Sequence, residues 1–425
     1  MSKLIPSAYR QDLSTKTSIY KWLLIGLLIR LSFMPFTIYY PDTLSPYWRG
    51  SLIAYHGMYG IVHQQVLIFW LHALFLKILK PLLPYFESIL NDPNLGWGVT
   101  WKMWANFVQH PYVFRTLFLF KLPYLFFDLG SAFLLLFTLQ EDKKGLNAFK
   151  FWMVNPIVIF VTFVATKYDC IEVFFILLSI YYAKSKCSRR SLFWLGMSIA
   201  ARFYPLMLLP LFVIILGKKP RQYLELSAWG LLPLGISTIL SKIIIGTSEV
   251  GIVAGLHHIN YLFSMKFYFG YLNSAIYIFV VLYVFLFLHT YYKHDHSFEN
   301  LWKTCLISFL LFFATCFFHA QYFIWLMPFL AFQIVEDKRY VWLFVIMVIC
   351  YTVYILQWPG MMDRFIFAPI DYSYFVMHMR SPYEIINQYY PADQFINVFR
   401  SILSAVLLWM VYLIVKKSSL KKRGI

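Results

Sequence analysis

The stretch from Phe149 to Gly217 limits what this chain can fold into more than any other part of it. Nearly every residue in it is apolar, and most of its polar exceptions fall in three bunches, with a fourth just beyond Gly217. Two are the short groups Lys167-Tyr168-Asp169 with Glu172, and Arg202-Phe203-Tyr204-Pro205. They alternate with two basic clusters, Lys184, Lys186, Arg189 and Arg190, then Lys218, Lys219 and Arg221. Loops rich in Lys and Arg stay on the cytoplasmic side of a membrane. Each apolar block therefore reads as leaving the cytoplasm, turning and returning, with charges held at the outer turns. A charge at membrane depth is costly and marks a functional site by default.

Composition agrees. Of 425 residues 60% are hydrophobic and only 13% charged, where a soluble domain carries about a quarter, and the mean hydropathy is +0.64. The expectation is an all-α polytopic membrane protein forming one membrane domain over residues 1–425. The net charge of +18 sits mainly at the ends of apolar runs, which suits membrane lipids as partners and gives no reason to expect nucleic acid. Five cysteines lie in or beside apolar runs or in a cytoplasmic-looking loop, with no metal-ligand spacing and no disulfide framework. No metal ion or other cofactor is expected. The first apolar segment reads as a signal anchor rather than a cleaved signal.

Counting crossings back from the basic tail (Lys416, Lys417, Lys421, Lys422, Arg423) gives a topology of about twelve spans with both termini cytoplasmic. Expected crossings include 19–40, 113–139, 223–245, 267–292, 303–318, 320–335, 340–357 and 396–415. Residues 41–111 become a large external loop and 358–395 a second one. The two halves 191–201 and 203–217 would make one helix of ~40 Å against a core of ~30 Å, and Pro205 and Pro210 favour a break into a short hairpin. Residues 61–83 are apolar enough to cross, but parity forbids it. His63, Gln65, His72, Lys77 and Lys80 fall mostly on one half of a helical wheel, so an amphipathic helix along the outer surface is expected.

The outer side then collects a specific polar inventory: Asp42, Asp169 and Glu172 as carboxylates, Arg49, Lys167, Arg202 and Arg364 as cations, and the group His319-Ala320-Gln321-Tyr322. A lipid phosphate leaving group needs positive charge as it departs, and an acceptor hydroxyl needs a base. Blander readings stand beside each. A loop Asp is usually a cap or solvated, Asp169 and Glu172 could cap the helix near Cys170, and Lys167 and Arg202 could snorkel. Arg30, inside the first span, either pairs with a buried acid or carbonyl or serves function. Asp128, four residues after Tyr124, reads as a buried helix-packing group. His257-His258 reads as a loop marker rather than a metal site.

In their order these motifs resemble the GT-C membrane glycosyltransferases, in particular bacterial relatives of the GPI mannosyltransferases. Asp42 follows the first span, where that superfamily keeps its acidic motif. Lys121-Leu122-Pro123 with Asp128 is similar to the family's Lys-Leu-Pro…Asp helix. Asn155-Pro156 followed by Lys167-Tyr168-Asp169 resembles its Asn-Pro…Asp hairpin. Arg202-Phe203-Tyr204-Pro205 with Leu209-Pro210 resembles its Lys-x-x-Pro…Leu-Pro hairpin, and His319-Ala320-Gln321-Tyr322 its His-x-x-Tyr. The resemblance covers residues 20–335. It implies a polyprenyl-phosphate-linked sugar donor, most simply a mannose donor, and a lipid or glycan acceptor. Transfer would be inverting and on the non-cytoplasmic face of a prokaryotic plasma membrane rather than an ER membrane. Asp42 would match the catalytic base and Lys167 and Arg202 groups near the donor phosphate, joined by Arg49. Asp169, Glu172, His319, Gln321, Tyr322 and Arg364 would be the further substrate-binding residues. The first-loop motif departs from the family in having one acid instead of an adjacent pair, which argues against a divalent metal. A transporter or flippase of a lipid-linked sugar remains the alternative, since intramembrane charges and broken helices also suit transporters.

Overall fold

In a computed structural model, described over residues 13–39, 44–57, 66–83, 101–140, 143–245, 263–270, 274–358, 366–373 and 380–422, the secondary structure is helical apart from one two-stranded hairpin. The chain opens with α1 (Leu13–Phe33), α2 (Leu44–His56), α3 (Val66–Leu79), α4 (Trp101–Val108) and the long α5 (Val113–Thr138). There follow α6 (Lys144–Met153), α7 (Pro156–Ile159) with a π-helical turn at Phe160–Val164, α8 (Asp169–Lys184), α9 (Ser188–Ala201), α10 (Leu209–Leu216) and α11 (Pro220–Ile245). After the hairpin, β1 (Lys266–Tyr268) and β2 (Ala275–Tyr277), come α12 (Ile278–Lys293), α13 (Phe298–Thr315), α14 (Met327–Glu336), α15 (Tyr340–Tyr354), α16 (Pro382–Tyr389) and α17 (Ala392–Lys422).

Local chemistry explains where the helices break. Asn155 stops α6 and caps α7: its Oδ1 accepts from Ile157 N at 2.9 Å and Val158 N at 3.3 Å. Pro156 fills the first helical position, where the missing N–H costs nothing. The two pieces meet at 43°. α10 and α14 each carry Pro in their first turn and are each preceded by a 3₁₀ turn, Tyr204–Leu208 and Ala320–Leu326. The expected break near Pro205 is present, with Arg202 in extended conformation between α9 and the 3₁₀ turn. α9 and α11 approach so closely that a Cβ on Gly196 would lie 2.4 Å from the Gly230 carbonyl oxygen. Small residues permit such backbone approach in membrane bundles.

The turns sort to two ends. At one, Lys144 meets Glu336 at 2.8 Å, Lys417 meets Asp337 at 3.5 Å, Lys184 donates to the Thr138 carbonyl at 2.5 Å, and Arg189 pairs with Glu225. Hydrogen bonding from Arg339 holds the Asp337 carboxyl down to about 2. At the other end lie the tips that carry Lys167, Arg202 and His319.

Among the described residues four helices are long and apolar enough to cross a membrane, Val113–Thr138, Pro220–Leu240, Tyr340–Gln357 and Ala392–Lys417, with a fifth if the bent pair Lys144–Met153 and Pro156–Val164 counts as one span. Large apolar side chains such as Leu224 (76% exposed), Phe285 (66%) and Trp342 (74%) face outward, as an all-α membrane protein requires of its lipid surface.

Two expectations are corrected. The span placed at 267–292 begins at Ile278, because 266–268 and 275–277 pair as antiparallel strands around Gly270, whose φ of +72° a helix cannot accommodate. The segment 61–83 is helical at Val66–Leu79, but His72 is not on an outward polar face. It is buried, while Trp70, Leu74 and Ile78 line the exposed side together with Lys77. His63 and Gln65 lie outside the described residues.

Candidate functional site

The first tip is built from irregular backbone. In the π-helical turn Ala165 N reaches back to the Phe160 carbonyl at 2.7 Å, and Lys167 N to that of Val161 at 2.9 Å. Between them Thr166 takes φ +56°, left-handed for a β-branched residue. Backbone in such regions costs on the order of 1–3 kcal/mol and clusters at functional sites. The consequence is positional: the chain reverses at once, and Lys167 and Asp169 are placed in the core instead of continuing a helix outward. Lys167 is 2% exposed, with its ammonium 4.6 Å from the centre of the Tyr39 ring. Asp169 and Glu172 occupy the first turn of α8 and are fully buried.

The second tip supplies their counter-charge. Arg202 Nε donates to Glu172 Oε1 at 3.1 Å, and Nη2 lies 3.6 Å from Asp169 Oδ2. The guanidinium lies over two tyrosine rings, its carbon 5.0 Å from the centre of Tyr168 and 5.1 Å from that of Tyr322. Tyr322, Tyr204 and Trp325 form a tight aromatic group, with centroids 4.5 to 4.9 Å apart. Burial rules out snorkelling for both Lys167 and Arg202, and the acids face Arg202 rather than merely capping a helix. Removing one member of such a buried set strands an uncompensated charge.

Two further features escaped the sequence. Lys121, fully buried on α5, donates to the carbonyl and hydroxyl of Thr37 and to the Phe163 carbonyl at 2.8 Å. Thr37 Oγ1 also meets the Phe163 carbonyl at 2.9 Å. One ammonium thus ties the exit of α1 to the turn that leads into Lys167. Four residues before Asp128 lies Tyr124, whose hydroxyl meets His72 Nε2 at 2.8 Å, while His72 Nδ1 bonds the Ile68 carbonyl at 2.7 Å. A carbonyl can only accept, so Nδ1 carries the proton and Nε2 accepts from the tyrosine. His72 packs edge-on to Tyr168 at 5.8 Å, which joins α3 to the Arg202 cluster. Lys121, Tyr124 and Asp128 share one helix face at three- and four-residue spacing, and that spacing was the available signal.

Asp128 is the buried packing group expected, and it answers the question of Arg30. Arg30 Nε donates to Asp128 Oδ2 at 2.6 Å, Nη1 to the Met153 carbonyl at 2.7 Å, and Trp152 Nε1 to Asp128 Oδ1 at 2.9 Å.

Of the candidate site residues, Lys167, Asp169, Glu172, Arg202 and Tyr322 come together. His319 is half-buried beside them, 5.6 Å from the Tyr322 ring and 5.9 Å from that of Trp358, and Gln321 is half-buried in the same 3₁₀ turn. Arg49 stands over the Phe69 ring at 4.9 Å, within electrostatic range of Tyr168, and its buried Nε has no hydrogen-bond partner among the described residues. Asp42 and Arg364 lie outside the described residues, as do His257 and His258. Among the described residues no group of His, Cys, Asp and Glu has the geometry to hold a metal ion. No protein-family model matches the chain, and no curated protein or solved structure does either.

Proposed function

We propose that the chain is a GT-C-type glycosyltransferase that moves a sugar, in the simplest case mannose, from a polyprenyl phosphate to an acceptor hydroxyl on the non-cytoplasmic face, with inversion. The observation that carries this reading is the meeting of two successive hairpin tips. They bring Lys167 and Arg202 into one buried cluster at the end of the bundle opposite the basic turns. By the charge rule that end is external. On this reading each of the twelve helical legs from α1 to α17 that matches an expected crossing spans the membrane, several of them as short or broken helices.

In the reaction, the departing polyprenyl phosphate is met by Lys167 and Arg202. A guanidinium has five donors, and the two carboxylates engage only Nε and Nη2, which leaves part of the fork for phosphate oxygens. Asp42 takes the proton of the acceptor hydroxyl. It follows Tyr39 by three residues, and Tyr39 lies under the Lys167 ammonium. Purified protein given a panel of polyprenyl-phosphate sugars, with water or a simple glycoside as acceptor, should release free polyprenyl phosphate. Asp42→Asn should slow release by about 10²–10⁴-fold. No release from any donor, or normal turnover by the variant, removes the assignment.

The alternative, a transporter or flippase of lipid-linked sugar, draws on the broken helices around buried charge. It predicts that a labelled donor changes leaflet in proteoliposomes with its sugar–phosphate bond intact.

A further inference from the structure

The β1–β2 hairpin has no role in that reaction, and its surface is anomalous. Lys266 pairs with Tyr277, Phe267 with Ile276 and Tyr268 with Ala275. Side chains alternate faces along a strand, so the pair Phe267–Ile276 marks one face of the ribbon and Tyr268 the other. Both faces are outward: Phe267 is 68% exposed, Tyr268 63%, Phe269 61% and Met265 52%. A two-stranded hairpin is marginal in water without further packing, and here neither face is covered by the described residues. The ribbon is nevertheless held firmly at its base. Ile278 N donates to the Met265 carbonyl at 3.1 Å, and Phe317 N donates to Ser264 Oγ at 3.1 Å. The second bond fixes it beside His319, at the end of the bundle that carries Arg202.

We propose that this hairpin lies in the boundary between lipid headgroups and acyl chains, and that it anchors the site-bearing end of the bundle to that depth of the bilayer. Three observations select lipid as the occupant. The exposed side chains are chiefly aromatic, and amphipathic rings settle at the headgroup level. The apolar surface continues without a break into α12, where Val280, Val281, Val284, Phe285 and Leu288 also face outward. The described part of the hairpin, 263–270 and 274–277, contains no acidic residue and one cation, Lys266, folded over the Tyr268 ring at 4.9 Å. A single Lys on an aromatic ribbon suits the phosphate layer, with its stem along apolar surface and its ammonium among headgroups. Antiparallel pairing satisfies the inward backbone groups of both strands, which lowers the cost of leaving water.

Single spin labels test this in the full chain reconstituted in nanodiscs, in a Cys187→Ser background, since the other four cysteines are buried. Labels go at Phe267→Cys and Phe269→Cys, with Phe285→Cys as the lipid reference and Arg190→Cys as the water reference. Accessibility to oxygen, which concentrates in lipid, is compared with accessibility to a water-soluble nickel chelate. The expected result is a severalfold shift of the oxygen-to-nickel ratio at 267 and 269 away from the Arg190 value and towards that of Phe285. A ratio equal to that at Arg190 overturns the proposal. So does shielding from both reagents, which would mean a protein partner or a second copy seated there. Where position 267 does not tolerate the change, a label at Tyr268→Cys, on the other face, reads the same ratio with the same two outcomes.

Discussion

Arg30 and Arg202 are both arginines buried against carboxylates, and they differ in how completely they are satisfied. Arg30 has one acid and three backbone carbonyls, at 2.6 to 3.4 Å, and its Asp128 takes a further bond from the Trp152 indole. That set is closed. Arg30→Met leaves Asp128 buried without its cation and should cost roughly 3–5 kcal/mol. Arg30→Met combined with Asp128→Leu should recover most of that loss in thermal unfolding of the detergent-solubilised protein. Recovery would identify the pair as structural. Arg202 instead faces two acids at 3.1 and 3.6 Å, beside two tyrosine rings. For the same electrostatic reason Arg202→Ala alone mixes lost donor binding with a stranded Glu172. The informative variant is Arg202→Ala with Glu172→Gln, expected to stay folded and to lose affinity for polyprenyl phosphate by equilibrium binding. Unchanged affinity would remove Arg202 from the phosphate site.

At the scale of elements, the sequence showed the hairpins plainly and the sheet not at all. Proline and Asn-Pro breaks, apolar runs and basic turns locate α7–α10 and α13–α14 because backbone geometry and membrane charge rules act locally. The strands at 266–268 and 275–277 were missed because three-residue aromatic runs beside a long apolar helix have no period of their own. The buried face of α3 was missed for a different reason. A helical wheel ranks residues by polarity, and His72 goes inward because Tyr124, fifty-two positions along the chain, supplies its hydrogen bond. The site was legible in residue type and tip position, but the pairing of Arg202 with Glu172 depends on how two hairpins pack. The contact between α9 and α11 gives a direct test of that packing. Gly196→Ala puts a methyl against the Gly230 carbonyl and should destabilise by about 1–3 kcal/mol, read as an earlier melting transition, whereas Gly235→Ala, with open space around it, should not.

For the whole molecule the governing asymmetry is between the two ends. Cysteine labelling with an impermeant reagent should mark Arg190→Cys only after the cytoplasmic face is opened, and Tyr389→Cys, 85% exposed beside α17, in intact cells. The reverse pattern would turn the molecule over and place the charged tips in the cytoplasm. Labelling of Lys77→Cys and Lys80→Cys from outside would put α3 along the outer surface, and protection there would mean that it crosses.

The short second legs of the hairpins have a consequence for biosynthesis. A 3₁₀ turn of 5 residues and a helix of 8, as at Tyr204–Leu216, fall well short of the ~20 apolar residues that hold a segment in lipid unaided. On the proposed topology such a leg would have to wait at the translocon for its neighbour. The charges at the tips sharpen the point. The first hairpin carries Lys167, Asp169 and Glu172, a formal excess of one negative charge, and the second carries Arg202. Each is unbalanced alone and neutral together, so on the proposed topology insertion in steps of four legs, with the salt bridges closed before release, would be the cheapest order in which a ribosome could deliver this chain to the bilayer.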